Sequence, residues 1–353
     1  MNSWSTGALI GVFVVAAAVT WVAGVFLSDA TDTIDDRFGL GEALGGMILL
    51  GFAGTLPELA ITASAAVNGN LGLAAGNLLG GIAMQTLVLV LIDAVSRSRT
   101  PLTTMSRVIE PIFEALLVIL VVAIALMGPL LPDGVAIGSV SPVSILIVVA
   151  WLLGMLGLQR VQRSEHWESV EDTLQATVVA PQPGPVKHVR PNRFASASTR
   201  ATVIGFGFAA FVTLVAGVAL EQSGDGLASA WGINGVIFGA TILAAVTALP
   251  EISTGIRAVR LGKVGLAMGD IFGGNSVQIT LFLLADILAG KPVLTSVSND
   301  SMWLGGMGLA VTAIFTMGLL FRPKHKVLGL GPDSWFVLVA YALGIWGLLY
   351  ITN

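Results

Sequence analysis

Two glutamates, Glu58 and Glu251, lie within apolar stretches long enough to cross a bilayer, and each follows a proline in the tripeptide Leu-Pro-Glu. An ionised carboxylate at the bilayer centre costs at least ~2.5–3.5 kcal/mol, so it normally faces a cavity, a partner or a cation. Each proline also lacks the N–H that would bind the carbonyl four residues earlier, which frees the oxygens of Ala53 and Val246. Such oxygens suit hard cations, for example Ca²⁺ or Na⁺. The motifs therefore indicate a cation site; the alternative is a pair of protonated, hydrogen-bonded glutamates that brace the helices.

Threonines and glutamines add neutral oxygens to these motifs. Thr55 and Thr247 place a hydroxyl near each glutamate, although the two threonines are not at equivalent positions. Gln85 and Gln278 follow Glu58 and Glu251 at the same spacing and offer an amide carbonyl to a cation without adding charge. An interhelical hydrogen bond is the competing interpretation of these glutamines. Their matching positions favour the ligand role.

Further polar residues also occur in matched pairs. Asn77 and Asp270 lie two helical turns before the glutamines. Asp270 would add a third charge to the ion path, or the pair would form polar caps at helix breaks. Asp93 and Asp286 lie about 12 Å beyond the glutamines, and we interpret them as anchoring residues or residues at the mouth of the path.

The composition predicts the class of protein that carries these residues. Of 353 residues, 55% are hydrophobic and only 11% are charged, and the mean hydropathy is +0.89. Soluble domains contain about 25% charged residues, so we expect an all-α integral membrane protein. The lack of cysteine excludes disulfides and thiolate chemistry, and no nucleophile–base set accompanies the glutamates. We therefore predict no enzyme and no bound cofactor, with inorganic cations and the lipid bilayer as partners and no nucleic acid.

Ten transmembrane helices are predicted from the apolar stretches. They lie at about 7–27, 40–65, 71–95, 108–129, 137–158, 201–220, 232–256, 264–289, 302–321 and 333–351. The loops that follow odd-numbered spans hold 16 of the 17 lysines and arginines. The positive-inside rule then predicts a multi-pass protein of the cell membrane with cytoplasmic odd loops and both termini outside.

A hydrophilic segment at 160–200 divides the chain into residues 1–159 and 201–353. It contains an acidic cluster followed by a proline-rich stretch, at Glu165, Glu168, Glu171, Asp172 and 181–185. A regulatory cation site is one interpretation of the cluster, and a solvated acidic patch running into a linker is the other. We expect a cytoplasmic central loop; the oligomeric state is not predicted.

The two halves are related by an internal repeat. Shifting the residue numbers by 193 aligns 54–93 with 247–286 at 14 identities in 40 positions. Because five spans separate equivalent points, the second copy is expected to lie upside down relative to the first. The fold is thus predicted as two inverted five-helix repeats, whose cores lie at about 40–95 and 232–289. Inverted repeats are how many secondary transporters place one site at mid-membrane with alternating access.

The repeat also predicts how deep the glutamates lie. Glu58 precedes the turn near 68–70 by about ten residues, and Gln85 follows it by about fifteen. At 1.5 Å per residue both lie roughly 15–22 Å from the turn, close to the bilayer middle. The same holds for Glu251 and Gln278, so inverted symmetry is expected to bring all four side chains to one point.

These motifs resemble those of the Ca²⁺/cation antiporter superfamily, which includes sodium/calcium and calcium/proton exchangers. The segments 54–59 (GTLPEL) and 247–252 (TALPEI) are similar to the family's G-T-S-x-P-E motif. The segments 76–81 (GNLLGG) and 269–274 (GDIFGG) are similar to its G-N/D-x-x-G-S motif. The resemblance implies a secondary-active antiporter that exchanges Ca²⁺ for Na⁺ or H⁺, with Glu58 and Glu251 as central ligands and Thr55 and Thr247 at neighbouring hydroxyl positions.

Several positions depart from the family pattern. Gly81 and Gly274 replace the serine of the second motif, and Gln85 and Gln278 stand where the family has Asn or Asp. Fewer hydroxyls put the coordination of three sodium ions in doubt, and glutamine near this point resembles calcium/proton exchangers. The replacements also leave open an alternative function, a non-transporting cation sensor or scaffold that keeps the exchanger fold.

Overall fold

The computed structural model of the protein describes residues 4–38, 51–96, 98–106, 109–132, 135–163 and 192–351. Regular structure in these ranges is helical apart from two isolated bridges, Ile137 with Val140 and Val327 with Leu330. Eight helices there are long and apolar enough to cross a membrane, and a bent pair of helices adds a ninth. The all-α membrane class is therefore confirmed.

The predicted span at 40–65 is described only from residue 51 onward, so the count of ten stays a prediction. The acidic cluster of the central loop lies outside the described residues.

Thirteen helices follow one another in the described part of the chain. They are α1 (Thr6–Phe38), α2 (Gly51–Gly54), α3 (Leu56–Asn68), α4 (Leu71–Val95), α5 (Leu102–Met105), α6 (Glu110–Ala125), α7 (Pro142–Arg163), α8 (Thr199–Trp231), α9 (Gly235–Thr247), α10 (Leu249–Arg260), α11 (Val264–Ala289), α12 (Asn299–Phe321) and α13 (Pro332–Ile351). Within α9, the stretch Gly239–Leu243 is a π turn. Short 3₁₀ turns occupy Gly128–Leu130 and Leu294–Ser296.

Helix boundaries recur at the spacing of the sequence repeat. When the shift of the repeat is applied, the bounds of α1 coincide with those of α8 at both ends. The short helix α2 corresponds in the same way to the last four residues of α9, Ala244–Thr247. Helices α3 and α10 both begin at the leucine of Leu-Pro-Glu, and α4 and α11 begin at corresponding positions. The recurrence arises because proline and the turn residues occupy the same places in both copies.

The core of the bundle consists of α4 and α11 with the short helices around them, whereas α1, α7, α8 and α13 are peripheral. Most residues of α4 and α11 are buried, in keeping with helices that are apolar on every side. On the peripheral helices large apolar side chains point outward, such as Val15 (63% exposed) and Phe208 (69% exposed). These faces suit contact with lipid. The long helices α1 and α8 pack along each other.

Glycines bring α4 into direct contact with α9. A Cβ atom placed on Gly76 would lie 2.5 Å from the carbonyl oxygen of Val236, and one on Gly80 would lie 2.3 Å from the Cβ of Ala240. Neither distance is possible for a real side chain, so only glycine permits this approach. Gly72, Gly76 and Gly80 form a stripe of small residues on one face of α4, and at Gly76 and Gly80 this stripe is a packing surface, as in other membrane helices.

Asp93 and Asp286 anchor the ends of the core helices. The carboxylate of Asp93 accepts backbone N–H bonds from Leu102 (2.8 Å) and Gly331 (2.7 Å) and pairs with Lys326 at 3.0 Å. Asp286 accepts backbone N–H bonds from Val293 (2.6 Å) and Ser141 (2.9 Å). Each aspartate therefore ties a core helix to the start of a peripheral one, α13 or α7, in the opposite half of the chain.

Candidate functional site

Both Leu-Pro-Glu motifs directly follow a break between two consecutive helices. Helix α2 ends at Gly54 and α3 begins at Leu56, with Thr55 between them. Helices α9 and α10 are separated by Ala248 and bend by 43° at that point. Proline in the first turn of α3 and of α10 explains both breaks, because its ring clashes with the preceding turn. Each glutamate is thus the third residue of the helix that begins after the break.

Glu251 lines a small cavity together with Asp270 and the residues preceding the other motif, Ala53 and Gly54. A Cβ atom added to Gly54 would lie 3.4 Å from Glu251 Oε1 and 3.7 Å from Asp270 Oδ1. The absence of a side chain at Gly54 therefore leaves space in front of both carboxylates. Among the described residues, no group hydrogen-bonds to Glu251 Oε2, although this oxygen is buried.

Glu58 is also buried, with 1% of its surface exposed. The hydroxyl of Thr247 approaches its carboxylate but donates to the carbonyl of Ala244 at 3.2 Å. Neither oxygen of Glu58 therefore has a hydrogen-bond partner from the described part of the chain. The carboxyl groups of Glu58 and Asp270 both lie close enough to the carboxyl group of Glu251 to interact with it electrostatically. Buried carboxylates without partners are costly, so a bound ion or proton is needed to stabilise this arrangement.

The two threonines lie at the helix breaks and keep acceptor capacity. The hydroxyl of Thr55 donates to the carbonyl of Phe52 at 3.1 Å, much as Thr247 donates to Ala244. A hydroxyl that donates once still has two lone pairs for a further partner. Both threonines are buried, each with 2% of its surface exposed.

Gln85 and Gln278 contact each other across the two halves. The amide nitrogen of Gln85 donates to Oε1 of Gln278 at 3.3 Å, and Nε2 of Gln278 donates to the carbonyl of Leu78 at 2.7 Å. A Cβ on Gly81 would lie 2.6 Å from Gln278 Nε2, so this glycine makes room for the amide. The interhelical hydrogen bond that competed with the ligand role is therefore present. Gln85 Oε1 and Thr55 both border the space beside Gly274, within 4 Å of its missing Cβ.

Asn77 and Asp270 have different surroundings despite their matching positions. Asp270 accepts a hydrogen bond of 2.9 Å from the hydroxyl of Thr254. Asn77 is fully buried, and its amide atoms find no hydrogen-bond partner within the described ranges. Across those ranges no three His, Cys, Asp or Glu side chains are grouped closely enough to hold a metal ion by themselves. Any cation here would depend on neutral oxygens as well as carboxylates.

A second cavity continues from the first toward the turn between α10 and α11. The two share the lining residues Ser28, Thr254 and Asp270, and the second extends to Arg257 and Lys263. Sequence reasoning did not identify Ser28 or Thr254, nor Thr213 of α8, which lines the first cavity. A signal for Thr213 was present, because the shift of the repeat pairs it with another threonine, Thr20.

Comparison with known proteins extends over nearly the whole chain. Residues 8–160 and 201–350 match the family described as Sodium/calcium exchanger protein. The inner membrane protein YrbG of Escherichia coli (strain K12) is 27% identical over 296 residues, 83% of either chain. The crystal structure of the H⁺/Ca²⁺ exchanger CAX is similar with a TM-score of 0.67 at 15% identity, over 98% of this chain and 86% of that one. The sodium-calcium exchanger NCX_Mj is similar with a TM-score of 0.61 at 16% identity, over 97% and 99%. Since the family match includes both halves, this multi-pass membrane protein belongs to the sodium/calcium exchanger protein family, a family of transporters and not of enzymes.

Proposed function

We propose that this protein is a secondary-active cation antiporter that exchanges Ca²⁺ for Na⁺ or H⁺ at a mid-membrane site containing Glu58 and Glu251. The observation that carries the proposal is that two neighbouring glutamates, one from each half, have buried carboxylate oxygens without hydrogen-bond partners among the described residues: both oxygens of Glu58 and Oε2 of Glu251. An unpaired buried charge is not stable in an apolar interior, whereas a bound cation supplies the missing countercharge. Family membership supports the same class of function.

Neighbouring groups complete the proposed ligand set with oxygen atoms. Asp270 adds a carboxylate beside Glu251, and Thr55 and Thr247 add hydroxyl oxygens at the helix breaks. The carbonyls of Ala53 and Val246, freed by the prolines, and the amides of Asn77, Gln85 and Gln278 are further proposed ligands. Ca²⁺ takes about six to eight oxygen ligands at about 2.3–2.6 Å and tolerates irregular geometry, so a site of mixed carboxylates and neutral oxygens suits it.

Transport is proposed to occur by alternating access between two inverted five-helix halves. The recurrence of helix bounds at the spacing of the repeat supports this, as does the position of both helix breaks at Leu-Pro-Glu. In this arrangement the loops that follow odd-numbered spans, which hold most of the lysines and arginines, lie in the cytoplasm. They include the central loop at 160–200. Both termini lie outside. The cavity that passes Asp270 toward Lys263 then opens to the cytoplasmic side.

The proposal is tested by ion flux into liposomes that contain the purified protein. Na⁺, H⁺ and K⁺ gradients are imposed one at a time, and Ca²⁺, Mg²⁺ and Mn²⁺ are offered in turn outside. We expect Ca²⁺ uptake driven by a Na⁺ or an H⁺ gradient and abolished when that gradient is collapsed. Uptake of none of the three ions under any gradient would contradict an antiporter function.

Charge-neutral variants assign the flux to the proposed site. Glu58→Gln and Glu251→Gln keep the size of each side chain but remove the charge that holds the cation, so each is expected to abolish gradient-driven Ca²⁺ flux. Asp300→Asn is the matched control, because it removes a carboxylate at the start of α12 that has hydrogen-bond partners and lies outside the site. Normal flux in either site variant, with protein of unchanged thermal stability, would eliminate the proposed site.

A second candidate function is a cation-binding membrane sensor or scaffold that does not transport. It is favoured by the hydrogen bond between Gln85 and Gln278, which ties the two halves together beside the candidate site. Saturable binding of Ca²⁺ to the purified protein without flux under any gradient would support this candidate over the antiporter.

A further inference from the structure

The cavity beside Lys263 lies between α1 and the hairpin formed by α10 and α11. Ser28 and Asp32 line it from α1, whereas Arg257, Leu261 and Lys263 line it from the hairpin. It shares Asp270 with the cavity that contains Glu251, so the two cavities join the candidate site to this end of the bundle.

The repeat relates this cavity to a second place in the molecule. When the same shift in numbering is applied, four residues of the cavity wall correspond to four residues of α8 and of the hairpin formed by α3 and α4. The cavity residues are Ser28, Arg257, Leu261 and Lys263, and their counterparts are Glu221, Ser64, Asn68 and Asn70.

These four counterparts are bonded to one another, and we refer to them together as the Glu221 clasp. Oε2 of Glu221 accepts hydrogen bonds from Ser64 Oγ at 2.7 Å and from Asn68 Nδ2 at 3.3 Å. Oε1 accepts a hydrogen bond from Asn70 Nδ2 at 2.9 Å. Glu221 has no exposed surface. The clasp therefore fills the space that corresponds to the cavity beside Lys263.

The inverted arrangement proposed above implies that the clasp and the cavity lie at opposite ends of the bundle. Among the described residues between the turn at Gly69 and the turn at Gly262, the helices that would cross the bundle are α4, α6, α7, α8 and the α9–α10 pair. An odd number of crossings would place the two turns at opposite ends. In the proposed orientation the cavity faces the cytoplasm, and the clasp faces the outside.

We propose that the Glu221 clasp is the gate that closes the outer entrance of the ion path, with Glu221 as the residue that positions α8 against the α3–α4 hairpin. The proposal rests on the alternating-access function proposed above. A simple brace between helices would account for three hydrogen bonds. It would not account for the fact that the bonded residues occupy the same positions of the repeat as residues that line the open cavity. Opening the gate must replace three hydrogen bonds to a buried carboxylate, which favours the inward-facing state.

Cysteine labelling tests the gate without requiring transport, because the natural chain contains no cysteine. Ala65 and Ala258 occupy corresponding positions, Ala65 buried behind the clasp and Ala258 on the wall of the open cavity. Ala65→Cys and Ala258→Cys are introduced separately, and each is labelled by a membrane-impermeant maleimide. Right-side-out vesicles report access from outside, and inside-out vesicles report access from the cytoplasmic side.

Glu221→Gln is then combined with each cysteine. The amide loses the charge and one acceptor oxygen, so we expect labelling of Ala65→Cys from outside to rise about tenfold. Labelling of Ala258→Cys from the cytoplasmic side is expected to fall, because the inward-facing population decreases. Asn70→Ala, which removes one donor, is expected to act in the same direction. Gln222→Ala is the control, since it changes a polar side chain of the same helix next to Glu221 and leaves the clasp intact.

Opposite changes at the two faces support the gate, and they do so even in a variant that does not transport. Labelling that rises at both faces would show that the clasp only stabilises the fold, and would overturn the proposal. Unchanged labelling in both Glu221→Gln and Asn70→Ala would overturn it as well. Neither result would bear on whether Glu58 and Glu251 hold the transported ion, which flux measurements test separately.

Discussion

Gly54→Ala is the smallest change that enters the proposed site. The added methyl group would lie 3.4 Å from Glu251 Oε1 and 3.7 Å from Asp270 Oδ1, on the cavity side of both carboxylates. Neither contact is a clash, since 3.4 Å is close to ordinary van der Waals distance. The methyl group would nevertheless occupy part of the space in which a cation or its water ligand must approach Glu251.

The expected magnitude follows from one lost ligand. Removing a single oxygen contact to a charged partner costs about 1.5–3 kcal/mol, which corresponds to a cation affinity at least about tenfold weaker. Stability is expected to move in the other direction. Alanine is preferred to glycine in a helix by up to about 1 kcal/mol, and Gly54 is the last residue of α2.

Isothermal titration of purified protein with Ca²⁺, paired with thermal unfolding, separates the two effects. We expect Gly54→Ala to bind Ca²⁺ at least about tenfold more weakly at an unchanged or higher melting temperature. Gly207→Ala is the control, because a Cβ there has no neighbour within 4 Å. Unchanged Ca²⁺ affinity in Gly54→Ala would refute the placement of the cation between Gly54 and the two carboxylates.

Two further predictions concern residues next to the site and at its margin. Thr254→Val removes the hydroxyl that orients Asp270, so Ca²⁺ affinity measured by titration should fall about threefold to tenfold. Thr254→Ser keeps the hydroxyl and should retain the affinity. Equal affinities in the two variants would contradict an orienting role. Asp286→Ala leaves the buried N–H groups of Ser141 and Val293 without an acceptor, so the unfolding free energy should fall by about 2–4 kcal/mol. Asp286→Asn keeps one acceptor oxygen and should lose less; equal losses in a denaturant titration would count against this anchoring role.

Features that repeat in the sequence were predictable, because the same residues impose the same local structure twice. Proline after Leu56 and after Leu249 removes the same backbone hydrogen bond in both copies, and the structure has a helix break at each of these places. Gly76 and Gly80 are spaced so that they lie on one face of α4, and both positions contact α9. Local rules suffice in these cases because the feature depends on backbone geometry at the residue itself.

Features that depend on distances between the halves were not predictable in the same way. A buried glutamine can bind a cation or another glutamine, and only the 3.3 Å distance between Gln85 and Gln278 shows that the second contact forms. Ser28 and Thr213 lie in long apolar helices that resemble lipid-facing spans, so nothing local marks them as cavity residues.

The central claim is that Glu58 and Glu251 hold one transported cation together, and anomalous diffraction from crystals soaked with Mn²⁺ or Sr²⁺ in place of Ca²⁺ tests it most directly. We expect one strong anomalous peak, about 2.2–2.7 Å from a carboxylate oxygen of each glutamate. A peak bound to only one of the two glutamates, or no peak beside either at saturating ion concentration, would contradict the claim.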